Sequence, residues 1–217
     1  MEPKFWINAW NEGRTAFHHE NFHEKLLQYF PSLGAKKDQS VFVPLCGKSK
    51  DMIWLAQQKL HVKGVELHED AVKAFFAENH LPEPKLSEDS DFKTYSSQNI
   101  EISCGDFFKV SDEAIFDFVY DRAALVALPS SMRGNYAKKL LQVLKVGGRY
   151  LLITYEYDQT QMSGPPFSVD EREVRELFGQ NFKIELLESL RPKDEGARLS
   201  ALNEIKQNVY SLTLLFK

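Results

Sequence analysis

The sequence is short of the features that announce most functional classes. It holds two cysteines, Cys46 and Cys104, in 217 residues. That is too few to staple a secreted scaffold or to hold zinc unaided, and two free thiols suit a reducing cytoplasm. No apolar run approaches the ~20 residues that a membrane span needs. The first ten residues mix acid, base and aromatic groups without the basic-then-apolar order of a secretory signal. Basic residues do not dominate: 27 Lys and Arg against 31 Asp and Glu leave a net charge of -4 and a pI near 5.9. Such a chain has no field to draw nucleic acid. Repeats and low-complexity tracts are missing too, and no spare apolar helix face stands out for a partner. The expectation is a monomeric cytoplasmic protein of one domain, with neither nucleic acid nor membrane as partner.

What is present is alternation. "SVFVPL" from Ser40 reads as a strand and "SKDMIWLAQQK" from Ser49 as a helix, for which Ser49 is a fair N-cap. Strand and helix follow again over His61–Leu67 and Glu69–His80, then strands within Asn99–Phe108 and over Ile115–Asp121. A helix over Ser130–Gly148, a strand over Arg149–Tyr157 and a helix over Ser168–Gly179 complete the series, with Ser168 and Glu171 at capping-box spacing. The tail, "FKIELLESL" and "NVYSLTLLFK", reads as a strand pair. This pattern predicts an α/β doubly wound sheet with an antiparallel edge. Two stretches read as loops: Pro31–Gly34, and the proline-rich acidic run Leu81–Phe92. Ahead of the sheet, an aromatic N-terminal segment carries Phe5, Trp6 and Trp10 on one prospective helix, which "NEG" from Asn11 stops.

In such sheets a ligand sits at the carboxyl ends of the strands, near the point where strand order reverses. The candidates there are Leu45–Gly47, Glu66, Gly105–Phe107, Asp121–Arg122 and Tyr155–Tyr157. The first suggests a phosphate-binding P-loop, because Gly47-Lys48-Ser49 matches its end. Counting back, however, Phe42 stands where the first glycine belongs, and Pro44 removes a backbone N–H from the cradle. Glu66 falls nineteen positions after Gly47, the spacing at which a carboxylate accepts ribose hydroxyls. Asp106 or its neighbouring backbone could meet an adenine edge, with Phe107 or Phe108 against its face; one of the two phenylalanines is expected only to pack the core. A nucleoside without a pyrophosphate cradle points to S-adenosylmethionine. A P-loop nucleotidase, an NAD oxidoreductase and a non-catalytic nucleoside-binding module stay open on this evidence. His18, His19 and His23 lack the order and the third ligand of a metal site and read as solvated surface residues.

Six segments then carry a resemblance: "FWINAWNEGRTAFHHE", "VFVPLCGKSKDMIWLA", "GVELHEDAVKAFF", "ISCGDFF", "YDRAALVALP" and "GPPFSV". Together they make the chain similar to the thiopurine S-methyltransferase family in its compact bacterial form, from Phe5 to about Val169. The resemblance implies a Rossmann-like class I methyltransferase fold: a mostly parallel seven-stranded sheet with an antiparallel last strand and helices on both faces. It implies S-adenosyl-L-methionine as methyl donor, S-adenosyl-L-homocysteine as product, and a small aromatic or heterocyclic thiol as acceptor, with selenium or tellurium species as further candidates. Carried over residue by residue, it assigns the cofactor to Trp10, Leu45, Gly47, Glu66, Gly105, Asp106, Phe107 and Arg122. Phe17 and Arg122 fall on the acceptor side, Asp121 and Arg122 are the catalytic candidates, no metal is implied, and residues 1–35 form a helical lid. Lys50 departs from the family pattern at a helix start, where it is expected to be exposed and neutral in effect.

Overall fold

In a computed structural model, which describes residues 3–13, 19–113, 115–192 and 199–217, the described strands form one nine-stranded sheet. The strands are β1 (Ser40–Val43), β2 (His61–Glu66), β3 (Lys85–Glu88), β4 (Lys93–Ser97), β5 (Ile100–Cys104), β6 (Phe116–Arg122), β7 (Leu144–Glu156), β8 (Phe182–Leu190) and β9 (Lys206–Leu214). Their order across the sheet is β3-β4-β5-β2-β1-β6-β7-β9-β8. β5, β2, β1, β6 and β7 run parallel; β9 is antiparallel to β7 and to β8. Seven of these strands are those expected. The other two form a hairpin, β3–β4, added antiparallel to β5. One arm of it lies inside the acidic run read from sequence as a loop. All four β3 residues are exposed, so burial imposed no alternation for the sequence to show.

Period-two alternation sorts the strand side chains onto two faces. Phe42 of β1 joins Val119, Tyr136, Leu140, Tyr150, Val174 and Phe178 on one side. Val41 and Val43 join Met52, Leu55, Val72, Phe75, Phe118 and Tyr120 on the other. The first face is covered by α5 (Ser130–Val143) and α6 (Glu171–Phe178), whose buried residues recur at helical spacing: Arg133, Tyr136, Ala137 and Leu140, then Val174 and Phe178. The second is covered by α2 (Glu24–Tyr29), α3 (Asp51–Gln57) and α4 (Glu69–Glu78). α1 (Pro3–Asn11) ends at the turn formed by Glu12 and Gly13.

Several local expectations change. Pro31 lies in a single 3-10 turn, Phe30–Leu33, rather than an open loop. The cap of α6 is Asp170, which accepts from the Glu173 amide at 2.8 Å; Ser168 instead accepts from the Tyr157 amide at 3.0 Å. α5 ends at Val143, so β7 begins at Leu144, ahead of the glycines. His23 is buried, not solvated: its ring caps α2 by accepting from the Lys25 amide. Among the described residues, no group of three or more His, Cys, Asp or Glu could hold a metal ion, and no helix is long and apolar enough to cross a membrane.

Candidate active site

The strand order reverses between β1 and β6, so the site is sought at their carboxyl ends and those of β2 and β5. After Val43 the chain turns through buried Pro44, then Leu45 at φ 46 and Gly47 at φ 52. Positive φ comes easily only to glycine, so Leu45 is held there by its surroundings. Cys46 extends the β1–β2 ladder by donating its amide to the Val65 carbonyl at 2.9 Å. The next amide, of Gly47, donates to Glu66 Oε2 at 2.8 Å, and the His68 amide donates to Oε1 at 2.9 Å. Burial pushes the Glu66 carboxyl up, against the amides of His68, Gly47 and Leu67. Each oxygen still keeps lone-pair capacity, since a carboxylate offers about four acceptor sites. Lys48, part of the apparent P-loop, pairs with Glu78 on α4 at 2.6 Å and plays no cradle role.

His68 brings in the N-terminal helix. Its ring stacks on Trp10, centroids 6.0 Å apart and 25° between planes, and its Nε2 meets Asn11 Oδ1 at 3.2 Å. Trp10 therefore stands over the end of β2, two residues beyond Glu66. His68 had no role in the sequence reading; its place just past a strand-end carboxylate was the available signal. Phe17 lies outside the described residues.

At the end of β5 the three candidates separate. Gly105 donates its amide to the Glu66 carbonyl at 2.9 Å. A Cβ there would come within 2.6 Å of the Asp91 carbonyl and 2.5 Å of the Phe92 ring, so the tip of the β3–β4 hairpin rests on this glycine. Asp106 is exposed and caps the following 3-10 turn by accepting from the Phe108 amide at 2.9 Å. Phe107 is a core residue, 2% exposed, between Phe42 and Tyr136 with ring centroids 6.2 and 4.9 Å away. The direct cofactor contact expected of Phe107 does not fit that burial; Phe108, half-buried beside it, holds the open position.

β6 splits its last two residues between faces. Asp121 is fully buried on the α5 side, where its Oδ2 accepts from the hydroxyls of Tyr136 (2.6 Å) and Tyr150 (2.7 Å) and its Oδ1 from the Leu125 amide (3.1 Å). Burial pushes its pKa up against those hydrogen bonds. A reacting role for Asp121, expected from sequence, does not fit this placement, because its carboxylate is enclosed by tyrosines below the rim. Arg122 lies on the other face, and its ion pair is made to Asp51 on α3, Nε to Oδ2 at 2.9 Å. Its Nη2 donates to Ser49 Oγ at 3.2 Å. An open cavity of about 420 Å³ lies between Gln161–Ser163 and Ala201–Leu202. It contains none of the candidate residues, so the strand-end cluster carries the functional assignment.

The seven strands β5-β2-β1-β6-β7-β9-β8, with the glycine turn and the acid ending β2, form the Rossmann-like class I methyltransferase fold. Solved structures agree: a Burkholderia thailandensis 1,6-didemethyltoxoflavin-N1-methyltransferase with bound S-adenosylhomocysteine superposes with a TM-score of 0.67 at 16% identity, over 99% of this chain and 87% of that one. A SAM-dependent methyltransferase of Methanosarcina mazei gives 0.62 at 16% identity, over 91% of this chain and all of that one. Within that class the family is narrower. The family model for thiopurine S-methyltransferase matches residues 1–214. The chain is 41% identical to the thiopurine S-methyltransferase of Pseudomonas fluorescens over 218 residues, covering 99% of this chain and 100% of the relative. It is 47% identical to that of Photobacterium profundum over 178 residues, covering 82% and 83%. The chain belongs to the thiopurine S-methyltransferase family, and by that membership is an S-methyltransferase (EC 2.1.1.67).

Proposed function

We propose that this protein moves a methyl group from S-adenosyl-L-methionine to the sulfur of a small aromatic or heterocyclic thiol in the cytoplasm, acting as a monomer. The observation that carries the reading is the pairing of Gly47 with Glu66 at the switch point, where an acceptor-only carboxylate faces a turn without a side chain. The donor set suits the cofactor. Glu66 has lone pairs left for ribose hydroxyls, and the half-buried Phe108 offers a face to adenine. Trp10 offers an aromatic surface for the sulfonium of the cofactor. Leu45 and Gly47 line the floor under the methionine part, and Gly105 and Asp106 border the adenine.

When bound, S-adenosylmethionine supplies an electrophilic methyl group on a good neutral leaving group. The protein's task is then to hold a sulfur nucleophile in line and out of water. An aromatic thiol loses its proton readily, so a strong base is not required. Arg122 faces the acceptor as a fixed positive charge, kept protonated by Asp51, and holds the thiolate. Asp121 supports the β6 terminus through its tyrosines and does not touch the reacting atoms. Residues 1–35, with Phe17 on the acceptor side, act as the lid. Selenium and tellurium nucleophiles share the required chemistry and are further acceptors.

Thermal shift with S-adenosylhomocysteine, ATP-magnesium and NAD tests the cofactor. A ligand at ~100-fold its dissociation constant adds about 2.7 kcal/mol of stability. A response to ATP or NAD alone overturns the reading. A labelled-methyl assay over a panel of thiols tests the acceptor: binding of S-adenosylhomocysteine with no transfer to any thiol would leave only a binding module.

A further inference from the structure

We propose that Asp51 is a positioning residue that couples the docking of the N-terminal segment to the orientation of the Arg122 guanidinium, so that the acceptor group is set only when the segment is in place. This rests on the reading of Arg122 as the group facing the thiol. Asp51 opens α3 directly after the glycine turn, and an acid there is ordinarily a solvated partner of the helix dipole. Here it is 1% exposed. Its two oxygens divide their work. Oδ1 accepts from the backbone amide of His23 at 2.8 Å, in the segment leading into α2. Oδ2 accepts from Tyr120 Oη and Arg122 Nε, both at 2.9 Å. Burial pushes the Asp51 carboxyl up, but the Arg122 charge and the His23 amide outweigh it, and the group stays ionised below the usual carboxylate value.

The neighbouring residues of the same turn repeat the arrangement. Ser49 Oγ accepts from Arg122 Nη2 at 3.2 Å, and Lys50 Nζ reaches Glu20 at 3.2 Å. The start of α3 therefore grips the N-terminal segment with one set of atoms and Arg122 with another. Asp51 is the residue that does both with a single rigid carboxylate. An ionised carboxylate accepts on both sides at once. An asparagine does not, because one of its two ends is an N–H₂ donor. Asp51→Asn must set a donor against either the His23 amide or the Tyr120–Arg122 pair.

The test compares Asp51→Asn, Arg122→Ala and the double variant. Steady-state kinetics on an aromatic thiol, calorimetric binding of S-adenosylhomocysteine and hydrogen exchange over residues 19–29 are measured on each. Misplacing an orienting group costs roughly ten- to a hundredfold. The expected result for Asp51→Asn is a loss of that size in kcat/KM for the thiol, with S-adenosylhomocysteine affinity within about threefold. Exchange over 19–29 is faster, and the double variant is no worse than Arg122→Ala alone. His23→Pro is a second route that leaves Asp51 intact. The φ of His23 is -68°, which proline accepts, so the change deletes the amide donor, together with the ring that caps α2. It is expected to lower thiol turnover in the wild-type background and not in Arg122→Ala. A folded Asp51→Asn or His23→Pro with wild-type thiol kinetics overturns the coupling, as do losses that multiply with Arg122→Ala. Unchanged kinetics in Arg122→Ala itself would overturn the reading of Arg122, and the coupling with it.

Discussion

Gly47 and Glu66, nineteen residues apart, are joined by a hydrogen bond from the glycine amide to the carboxylate Oε2 at 2.8 Å. The bond ties the turn after β1 to the end of β2, and it fixes the direction of a carboxylate that is only 6% exposed. A fully solvated acid at this position would need to be ordered by each incoming ligand; this one is ordered already, which lowers the cost of binding.

The first prediction is the pH dependence of that site. Burial raises the Glu66 pKa above its ordinary 4.5, so the group takes up a proton earlier on acidification than a free glutamate. The protonated form loses an acceptor that a ribose hydroxyl would use. S-adenosylhomocysteine affinity should therefore hold at neutral pH and fall as pH drops through the raised pKa. Glu66→Gln should bind roughly tenfold or more weakly at neutral pH, the scale of a hydrogen bond to a charged group, and show a flat profile on the acid side. Calorimetry across pH on both proteins checks this, and equal slopes would contradict it.

Phe107 and Phe108 separate by burial, and substitution should separate them too. Phe107→Ala removes a ring enclosed by Phe42 and Tyr136 and should cost about 3–5 kcal/mol of stability. Phe108→Ala should cost much less and instead weaken S-adenosylhomocysteine binding. Denaturant melts and calorimetry distinguish the two effects; a cofactor defect confined to Phe107→Ala would reverse the assignment.

The same pair shows what was legible in the sequence. "CGDFF" at a strand end predicts that one phenylalanine is core, but not which, because that depends on the 3-10 turn capped by Asp106. The parallel core was readable because short β-rich runs alternate there with helices whose buried residues recur at helical spacing. β3 was not, because nothing about its exposed residues alternates. The opposite facing of Asp121 and Arg122 follows from strand periodicity, yet which face holds the tyrosines and which holds Asp51 is a tertiary fact. Asp51 itself was invisible as a buried group, since acids at helix starts are common on surfaces.

Asp121 gives the third prediction. Its pKa is raised above the ordinary 3.8 by complete burial. For a carboxyl with a raised folded pKa, the stabilising contribution is fully present below the unfolded value and is lost as pH rises through the folded one. The stability of wild type relative to Asp121→Asn should therefore grow as pH falls through that window. The variant leaves one buried donor short of an acceptor, a loss of about 1–3 kcal/mol. Turnover of the folded variant should fall only modestly, since the carboxylate does not reach the rim. A loss of several orders of magnitude at unchanged cofactor affinity would restore Asp121 to the chemistry.

The N-terminal helix supplies the last prediction. Trp10 and Asn11 both meet the ring of His68, which also accepts from the Ala71 amide at 3.4 Å as the N-cap of α4. His68→Ala removes the stack and the cap together, and its effect on stability would obscure its effect on the lid. His68→Asn keeps an excellent capping side chain and removes the ring, so α4 should be spared while α1 is released. A stacked aromatic contact contributes about 0.5–1.5 kcal/mol. If α1 closes over the cofactor, S-adenosylhomocysteine should bind roughly two- to tenfold more weakly to His68→Asn and to Trp10→Ala. Both variants should be cleaved faster within residues 1–13 by a protease added in the presence of ligand. The melting temperature of His68→Asn should stay close to wild type, which separates release of the helix from general loosening. Unchanged cleavage and affinity in both variants would show that α1 rests on the end of β2 without serving the site.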